Sequence, residues 1–126
     1  AVAPDAAVID AIRLMAAKGI GAVLVMQGAV LRGILSERDY ARKIVLMDRS
    51  SRETPVEAIM TSSLITVGPQ EQVERCLELI TRHRIRHLPV VDGGRVLGVI
   101  SIGDLVKSII DAQQRELDQL QQYIAG

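Results

Sequence analysis

The sequence predicts an α+β fold in which one helix–strand–strand–helix unit occurs twice. The main observation is an internal repeat, because residues 33–39 read GILSERD and residues 98–104, 65 positions later, read GVISIGD. A second observation is the change from helical spacing of apolar residues to short β-branched runs, which glycine-containing turns join in pairs. The two copies align without a gap, because other identical residues are also 65 positions apart, among them Pro4 and Pro69, Val25 and Val90, and Gly28 and Gly93.

Composition excludes several functional classes. The 126 residues include 15 basic and 15 acidic side chains, two Tyr, no Phe and no Trp, so neither the charge nor the aromatic surface of a nucleic-acid binder is present. No apolar run approaches the roughly 20 residues of a membrane span. A single Cys fits a reducing compartment, and we expect a cytoplasmic protein without nucleic-acid or membrane partners. The sequence does not begin with Met, and we expect part of the natural start to be absent.

In the first copy, apolar residues from Val8 onward have helical spacing that stops at Lys18-Gly19, as expected of a helix ending in a C-terminal Gly. Residues 22–26 and 30–35 then form two predicted strands around a turn at 27–29. Ser36 begins the next predicted helix, which extends to about Leu46.

The second copy follows a polar linker. Thr54 is the predicted N-cap of a short helix through Met60, with Pro55 in its first turn. The remaining predictions are a short strand over 64–67, a helix from Gln70 to about His83, strands over 87–91 and 95–100 around a turn at 92–94, and a final helix from Ser101 to about Ile124. Cys76 aligns with Ala11, which indicates a packed core thiol rather than a nucleophile.

The Ser and Asp that each repeated motif places three residues apart have two interpretations. Either pair, Ser36 with Asp39 or Ser101 with Asp104, fits a helix capping box, which explains both residue types without a ligand. The Gly three residues before each Ser, where backbone could approach a ligand closely, favours a binding site instead. The motif lacks the lysine and the spacing of a phosphate-binding loop.

With these motifs the chain resembles a tandem CBS domain over essentially its whole length. The resemblance implies one module of two CBS repeats, each a small sheet packed against two helices, related by pseudo-twofold symmetry. It implies that the Asp of each motif holds the ribose of an adenine nucleotide, that the Ser approaches the phosphates, and that apolar neighbours sandwich the adenine. The implied ligand-binding residues are Ile34, Ser36, Arg38, Asp39, Thr66, Arg86, His87, Pro89, Val99, Ser101 and Asp104.

Only the second copy carries a run of cations, at residues 82–87, before its hairpin. This run is either a solvated basic face or, as in nucleotide-binding CBS proteins, a contact for ligand phosphates through Arg86 and His87. Arg38 is a further phosphate candidate because it lies in the first turn of its helix. A metal site formed by His83 and His87 is disfavoured, because the neighbouring Arg charges oppose a cation and no acidic or thiol ligand accompanies them.

The end of the chain carries an apolar stripe of Leu117, Leu120 and Ile124 among Gln and Glu side chains. The stripe either covers the core of its own chain or contacts the same helix of a second subunit, and we expect a homodimer. The predicted domains are repeat 1 over 1–47 with its lead-in missing, a linker over 48–55, repeat 2 over 56–111 and a helical extension over 112–126.

The expected function is sensing of an adenine nucleotide, with AMP the first candidate and ADP, ATP and NAD(H) also open, and transmission of that signal to a regulated protein. No acid–base pair, activated nucleophile or metal cluster is visible, so we expect no catalytic residues, no catalytic cofactor and no enzyme activity. Two alternatives remain: a structural dimerisation module with vestigial clefts, and a nucleotide-consuming enzyme.

Overall fold

A computed structural model describes residues 1–125, with only the backbone of Ala125. The described chain forms two compact units, one over Ala1–Leu64 and the other from Ile65 onward. Each unit contains one two-stranded antiparallel sheet and helices, which confirms the predicted α+β class. Gly126, the last residue of the predicted extension, lies outside the described residues.

The first unit contains helix α1 over Val8–Lys18, strands β1 over Ala22–Gln27 and β2 over Val30–Ser36, and helix α2 over Glu37–Tyr40. Helix α1 ends as predicted, because Gly19 takes the left-handed conformation with φ 63° and closes the last turn. Gly28 has φ 61° in the turn between the strands. Side chains from α1 and both strands form the core of this unit together with Ile44, Val56 and Ile59.

The helix predicted from Ser36 to about Leu46 is present, but after one turn of α2 it continues as a π-helix over Ala41–Val45. A second local prediction in this unit was wrong. Thr54 was expected to cap a helix through Met60. The chain instead forms a 3₁₀ turn over Val56–Ala58 with Pro55 at its N-cap position and no side-chain cap, and the Thr54 side chain is buried.

The second unit contains helix α3 over Val73–His83, strands β3 over His87–Asp92 and β4 over Arg95–Ser101, and helix α4 over Ile102–Ala125. Gly93 and Gly94 take φ 57° and 80° in the hairpin turn, as the turn sequence predicts. Its core is formed by Val67, Cys76, Ile80, Leu88 and Leu105, with Val73 and Leu77 packed against it. The expected strand over 64–67 was wrong, since only Val67 pairs, in a parallel bridge with Val90.

The two units repeat fine details at the same offset of 65. Val2 bridges Val25 in parallel, as Val67 bridges Val90. The strand register shifts between Val25 and Met26 in the first hairpin and between Val90 and Val91 in the second. A bulge inserts one residue and bends the strand that follows. Because both hairpins have the bulge at the same place, the strand that leads into each Ser/Asp motif is bent in the same way.

Candidate functional site

Both Ser/Asp motifs form capping boxes at the start of a helix. In the first, the Asp39 N–H donates to Ser36 Oγ at 3.1 Å and the Ser36 N–H donates to Asp39 Oδ2 at 3.1 Å. In the second, the Asp104 N–H donates to Ser101 Oγ at 3.1 Å and the Ser101 N–H donates to Asp104 Oδ2 at 2.9 Å. Each Ser and Asp therefore satisfies a helix N-terminus, and a ligand could use only the remaining lone pairs of the carboxylate and the remaining hydrogen-bonding capacity of the Ser hydroxyl.

The carboxylate of the first motif has further partners. Thr61 Oγ1 lies 3.3 Å from Asp39 Oδ1 and 3.5 Å from Oδ2, at hydrogen-bonding distance. Lys43 Nζ lies 3.6 Å from Asp39 Oδ1 and also donates to the Ile59 carbonyl oxygen at 2.9 Å. The Asp39 side chain is only 14% exposed. The first motif is therefore part of a partly buried polar cluster of Ser36, Asp39, Lys43 and Thr61.

The second motif is more open, since Asp104 is exposed. Its backbone and side-chain hydrogen bonds with Ser101 hold the pKa of the Asp104 carboxyl below its usual range, with smaller contributions from His87 and Lys107. Position 108, which corresponds to Lys43, is Ser. An ionised carboxylate with one oxygen outside the capping box can accept hydrogen bonds from a vicinal diol.

The hairpin register brings the basic residues before β3 to the second motif. His87 pairs with Ser101 across the sheet, and the Ile102 N–H donates to the Arg86 carbonyl oxygen at 2.9 Å. In the first copy, Ala22 pairs with Ser36 and the Glu37 N–H donates to the Gly21 carbonyl oxygen at 3.0 Å. The two backbones are equivalent here, but only the second copy presents cationic side chains at these positions.

The other predicted site residues differ in how far they are exposed. Pro89 and Val99 pair across the second hairpin, with Pro89 buried and Val99 half-buried. Ile34 is half-buried on β2 and bridges Thr61, whereas Arg38 is exposed in α2 and Thr66 is exposed beside Val67. The structure thus brings Arg86, His87, Pro89, Val99, Ser101 and Asp104 onto one hairpin and the start of its helix.

Sequence reasoning missed three residues of these clusters. Lys43 and Lys107 lie four and three residues after the motif Asp of their copies. Residues at this spacing are neighbours on a helix, and the spacing could have predicted both contacts. Thr61 contacts Asp39 although the two residues are 22 positions apart in the sequence. No short sequence motif predicts this contact.

Residues 1–125 were also compared with the requirements of a metal site, a reactive thiol and a membrane span. Within that range no group of three or more His, Cys, Asp or Glu side chains could hold a metal ion. Cys76 is buried, and burial together with the nearby Glu71 raises the pKa of its thiol, which agrees with a packed core residue. No helix of the described chain is both long and apolar enough to cross a bilayer.

Comparison with known proteins identifies the family. The CBS domain model matches residues 1–46 and 56–111. CBS domain-containing protein CBSX3, mitochondrial, of Arabidopsis thaliana is 42% identical over 127 residues, which cover 97% of this chain but only 62% of that protein, so this chain spans less than two thirds of it.

Solved structures agree with this match. A protein with CBS domains from Burkholderia ambifaria MC40-6 is 56% identical with a TM-score of 0.86, over 89% of this chain and 82% of that one. The CBS domain pair of protein MJ0100, in complex with 5′-methylthioadenosine and S-adenosyl-L-methionine, has a TM-score of 0.77 at 21% identity, over 88% of this chain and 89% of that one, and shows the shared fold. The chain therefore belongs to the CBS-domain family, with two CBS repeats in tandem.

Proposed function

We propose that this protein is a regulatory module that binds an adenine nucleotide and signals its concentration to a partner protein. The observation that carries the proposal is the register of the second hairpin, which sets His87 opposite Ser101 and Arg86 beside Ile102 at the start of a 24-residue helix. The backbone of Arg86 and His87 thereby lies beside the start of the helix that carries Asp104, the proposed ribose acceptor. A phosphorylated nucleoside presents the complementary groups, a vicinal diol and an anion.

The nucleotide is proposed by class, with AMP as the first candidate and ADP, ATP and NAD(H) as the other members. All of them contain adenosine and negative charge, which are the features proposed to be recognised by Asp104, Arg86 and the half-buried Val99, whereas Pro89, also expected from the sequence, is fully buried and lies behind that surface. The CBS domain pair of protein MJ0100 was crystallised with two adenosine compounds bound. This supports the proposal of an adenosine-containing ligand for the present protein.

The proposed role is regulatory rather than catalytic. The titratable groups of the second motif serve as hydrogen-bond acceptors or phosphate contacts, and none is arranged as a nucleophile with an adjacent base. We place the protein in the cytoplasm on the basis of its single, reduced Cys, although the Arabidopsis relative carries a mitochondrial designation.

We further propose a homodimer that uses helix α4. The helix presents one apolar seam with alternating spacings of four and three residues, interrupted by Gln113 and formed by Val106, Ile110, Leu117, Leu120 and Ile124. All five apolar side chains are exposed in the single chain, from 45% for Val106 to 75% for Ile124, so the seam does not cover the core of its own unit. Such spacing matches a coiled coil, in which an identical helix buries the seam.

Isothermal titration calorimetry with AMP, ADP, ATP and NAD tests the nucleotide proposal. We expect saturable binding of at least one of them, and about 1.5–3 kcal/mol weaker binding in an Asp104→Ala variant, the range for a hydrogen bond to a charged group. Circular dichroism checks that the variant is folded. If none of the four nucleotides binds to the folded wild-type protein, the proposal is wrong.

One observation favours a second candidate, a structural dimerisation module. Both Ser/Asp pairs are satisfied as capping boxes, so the sequence motif has a role without any ligand. This candidate predicts a dimer in ultracentrifugation together with no nucleotide binding, whereas a nucleotide-consuming enzyme would convert the ligand during incubation. Chromatography of the nucleotide after incubation separates those outcomes.

A further inference from the structure

Gln113 is a polar residue inside the apolar seam of helix α4. It follows Ile110 by three residues and precedes Leu117 by four, so it occupies a core position of the same heptad repeat as the apolar members of the seam. Gln113 is exposed in the single chain, as they are. The neighbouring Gln114 differs, because its amide donates to Asp118 Oδ1 at 3.0 Å within the same helix. A second helix that buries the seam must therefore also accommodate the amide of Gln113.

A parallel, in-register pair of α4 helices satisfies this amide. In such a pair each core position faces the same position of the other helix, so Gln113 faces Gln113 of the second copy. An amide side chain has both donor and acceptor groups, and two identical amides can therefore hydrogen-bond to each other. The apolar residues on either side of this layer, Ile110 and Leu117, likewise face their own copies and exclude water from it.

An antiparallel pair leaves the same amide without a partner. The antiparallel alignment that keeps every core layer filled sets Val106 against Ile124 of the second copy. Gln113 then faces Leu117, and this layer occurs twice in the dimer because of the twofold symmetry. Each amide is buried against an aliphatic side chain, which is unfavourable because a buried polar group loses its hydrogen bonds to water.

The charges beside the seam also favour the parallel pair. In a parallel coiled coil Glu116 flanks the seam next to Gln121 of the second copy, where it meets no like charge. In the antiparallel alignment the two Glu116 side chains lie beside each other near the centre and repel. That alignment would bring the exposed Tyr123 close to Ile109, but this contact lies at the edge of the seam, whereas the unpaired amides lie inside it.

We infer that α4 pairs with α4 of a second copy as a parallel, in-register coiled coil, and that Gln113 sets its orientation and its register. The inference rests on the proposed homodimer and adds how the two helices align. A shift of the register by one heptad would place each Gln113 against Val106 or Leu120, so the amide layer selects one alignment. The same feature favours a second copy as the partner, because an identical helix supplies the matching amide at the one layer that needs it.

Disulfide cross-linking tests the orientation. Leu120→Cys and Ile110→Cys are made separately in the full chain, and both positions are exposed in the single chain, at 55% and 58%, so neither change disturbs the core. In the parallel pair each new thiol faces its own copy, and oxidised glutathione should convert either variant alone to a covalent dimer. In the antiparallel pair the two thiols of Leu120→Cys would lie about 15 Å apart, too far for a disulfide.

Gln122→Cys, on the face opposite the seam, is the matched control, and wild type accounts for the buried Cys76. Covalent dimers that form only when Leu120→Cys and Ile110→Cys are mixed would show an antiparallel pair and overturn the inference, while the homodimer stands. A protein that sediments as a dimer without any seam cross-link, or with equal cross-linking of Gln122→Cys, would also overturn it. A protein that sediments as a monomer would refute the proposed homodimer itself.

Gln113→Leu tests the role of the amide. A seam that is entirely apolar should associate about tenfold or more tightly, because a polar core residue costs stability, and should lose its preference for one alignment. Sedimentation across a dilution series measures the affinity. When Leu120→Cys and Ile110→Cys also carry Gln113→Leu, their mixture should give a mixed disulfide.

Gln119→Leu is the control for Gln113→Leu, because residue 119 is exposed and lies outside the seam, and it should change neither the affinity nor the cross-links. A Gln113→Leu dimer that is no tighter than wild type, or that forms only the parallel cross-links, would show that Gln113 does not set the alignment.

Discussion

Replacement of Gly33 by Ala should destabilise the protein, whereas the same replacement at Gly98 should not. At Gly33 the new methyl group would lie 2.7 Å from Met60 Sδ and 2.8 Å from the Thr61 carbonyl oxygen. The Met60 side chain can rotate away, but the Thr61 carbonyl oxygen is held by the Ile34 N–H at 3.0 Å. Relief of the clash must therefore shift backbone, and overpacking of this kind costs about 1–3 kcal/mol.

Gly98 is the matched control, because it has the same place in its strand and open space around it. Neither Gly has a positive φ, so Ala fits both backbones without strain. Ala in a strand interior gains about 0.5–1 kcal/mol over Gly in both variants, so this gain cancels, and the two variants should differ in free energy of unfolding by the overpacking cost of about 1–3 kcal/mol. Urea denaturation followed by far-ultraviolet circular dichroism measures this difference. Equal stabilities of the two variants would refute the argument that residues 59–61 pack against Gly33.

Three further predictions concern the second unit. Arg86→Ala should weaken ATP more than AMP and leave adenosine unaffected in calorimetry, because a guanidinium acts through the phosphates, and equal losses would assign Arg86 to packing. Truncation after Ile110 should leave a folded protein with a weaker dimer in sedimentation across a dilution series, and an unchanged dimer would remove α4 from the interface. Since hydrogen bonds with Ser101 lower the pKa of Asp104, its stabilising contribution is present above about pH 4 and is lost as pH falls through the lowered value. The stability difference between wild type and Asp104→Asn should therefore shrink on acidification from pH 7 to pH 3, and a constant difference would contradict this.

Local sequence patterns predicted most of the fold because turns and helix caps depend on interactions between residues close in the chain. The hairpins follow from Gly28, Gly93 and Gly94, each of which has the positive φ that its turn requires. The capping boxes follow from Ser and Asp three residues apart before an apolar helical pattern. These interactions join residues close in the chain, so the residue types alone specify them.

The errors arose where distant contacts decide the conformation. The π-helix over Ala41–Val45 has no sequence period of its own, yet in it Ile44 is buried in the first core while Lys43 reaches the Ile59 carbonyl oxygen. The strand expected over 64–67 was an apolar run of suitable length, but only Val67 finds a partner in Val90. The difference between the two motifs depends on Thr61, whose contact with Asp39 spans 22 residues.

The ends of α1 and α3 have the same backbone geometry but different residues. Helix α1 closes on Gly19 at φ 63°, and 65 residues later helix α3 closes on Arg84 at φ 54°, the same left-handed geometry with a full side chain. A non-Gly residue in this conformation costs on the order of 1 kcal/mol, which Gly avoids. The two copies therefore share the path of the backbone at this point, but the second has an arginine where the first has its most permissive residue. Arg84 adds a basic side chain to the run before β3 at a position where helix termination alone favours glycine.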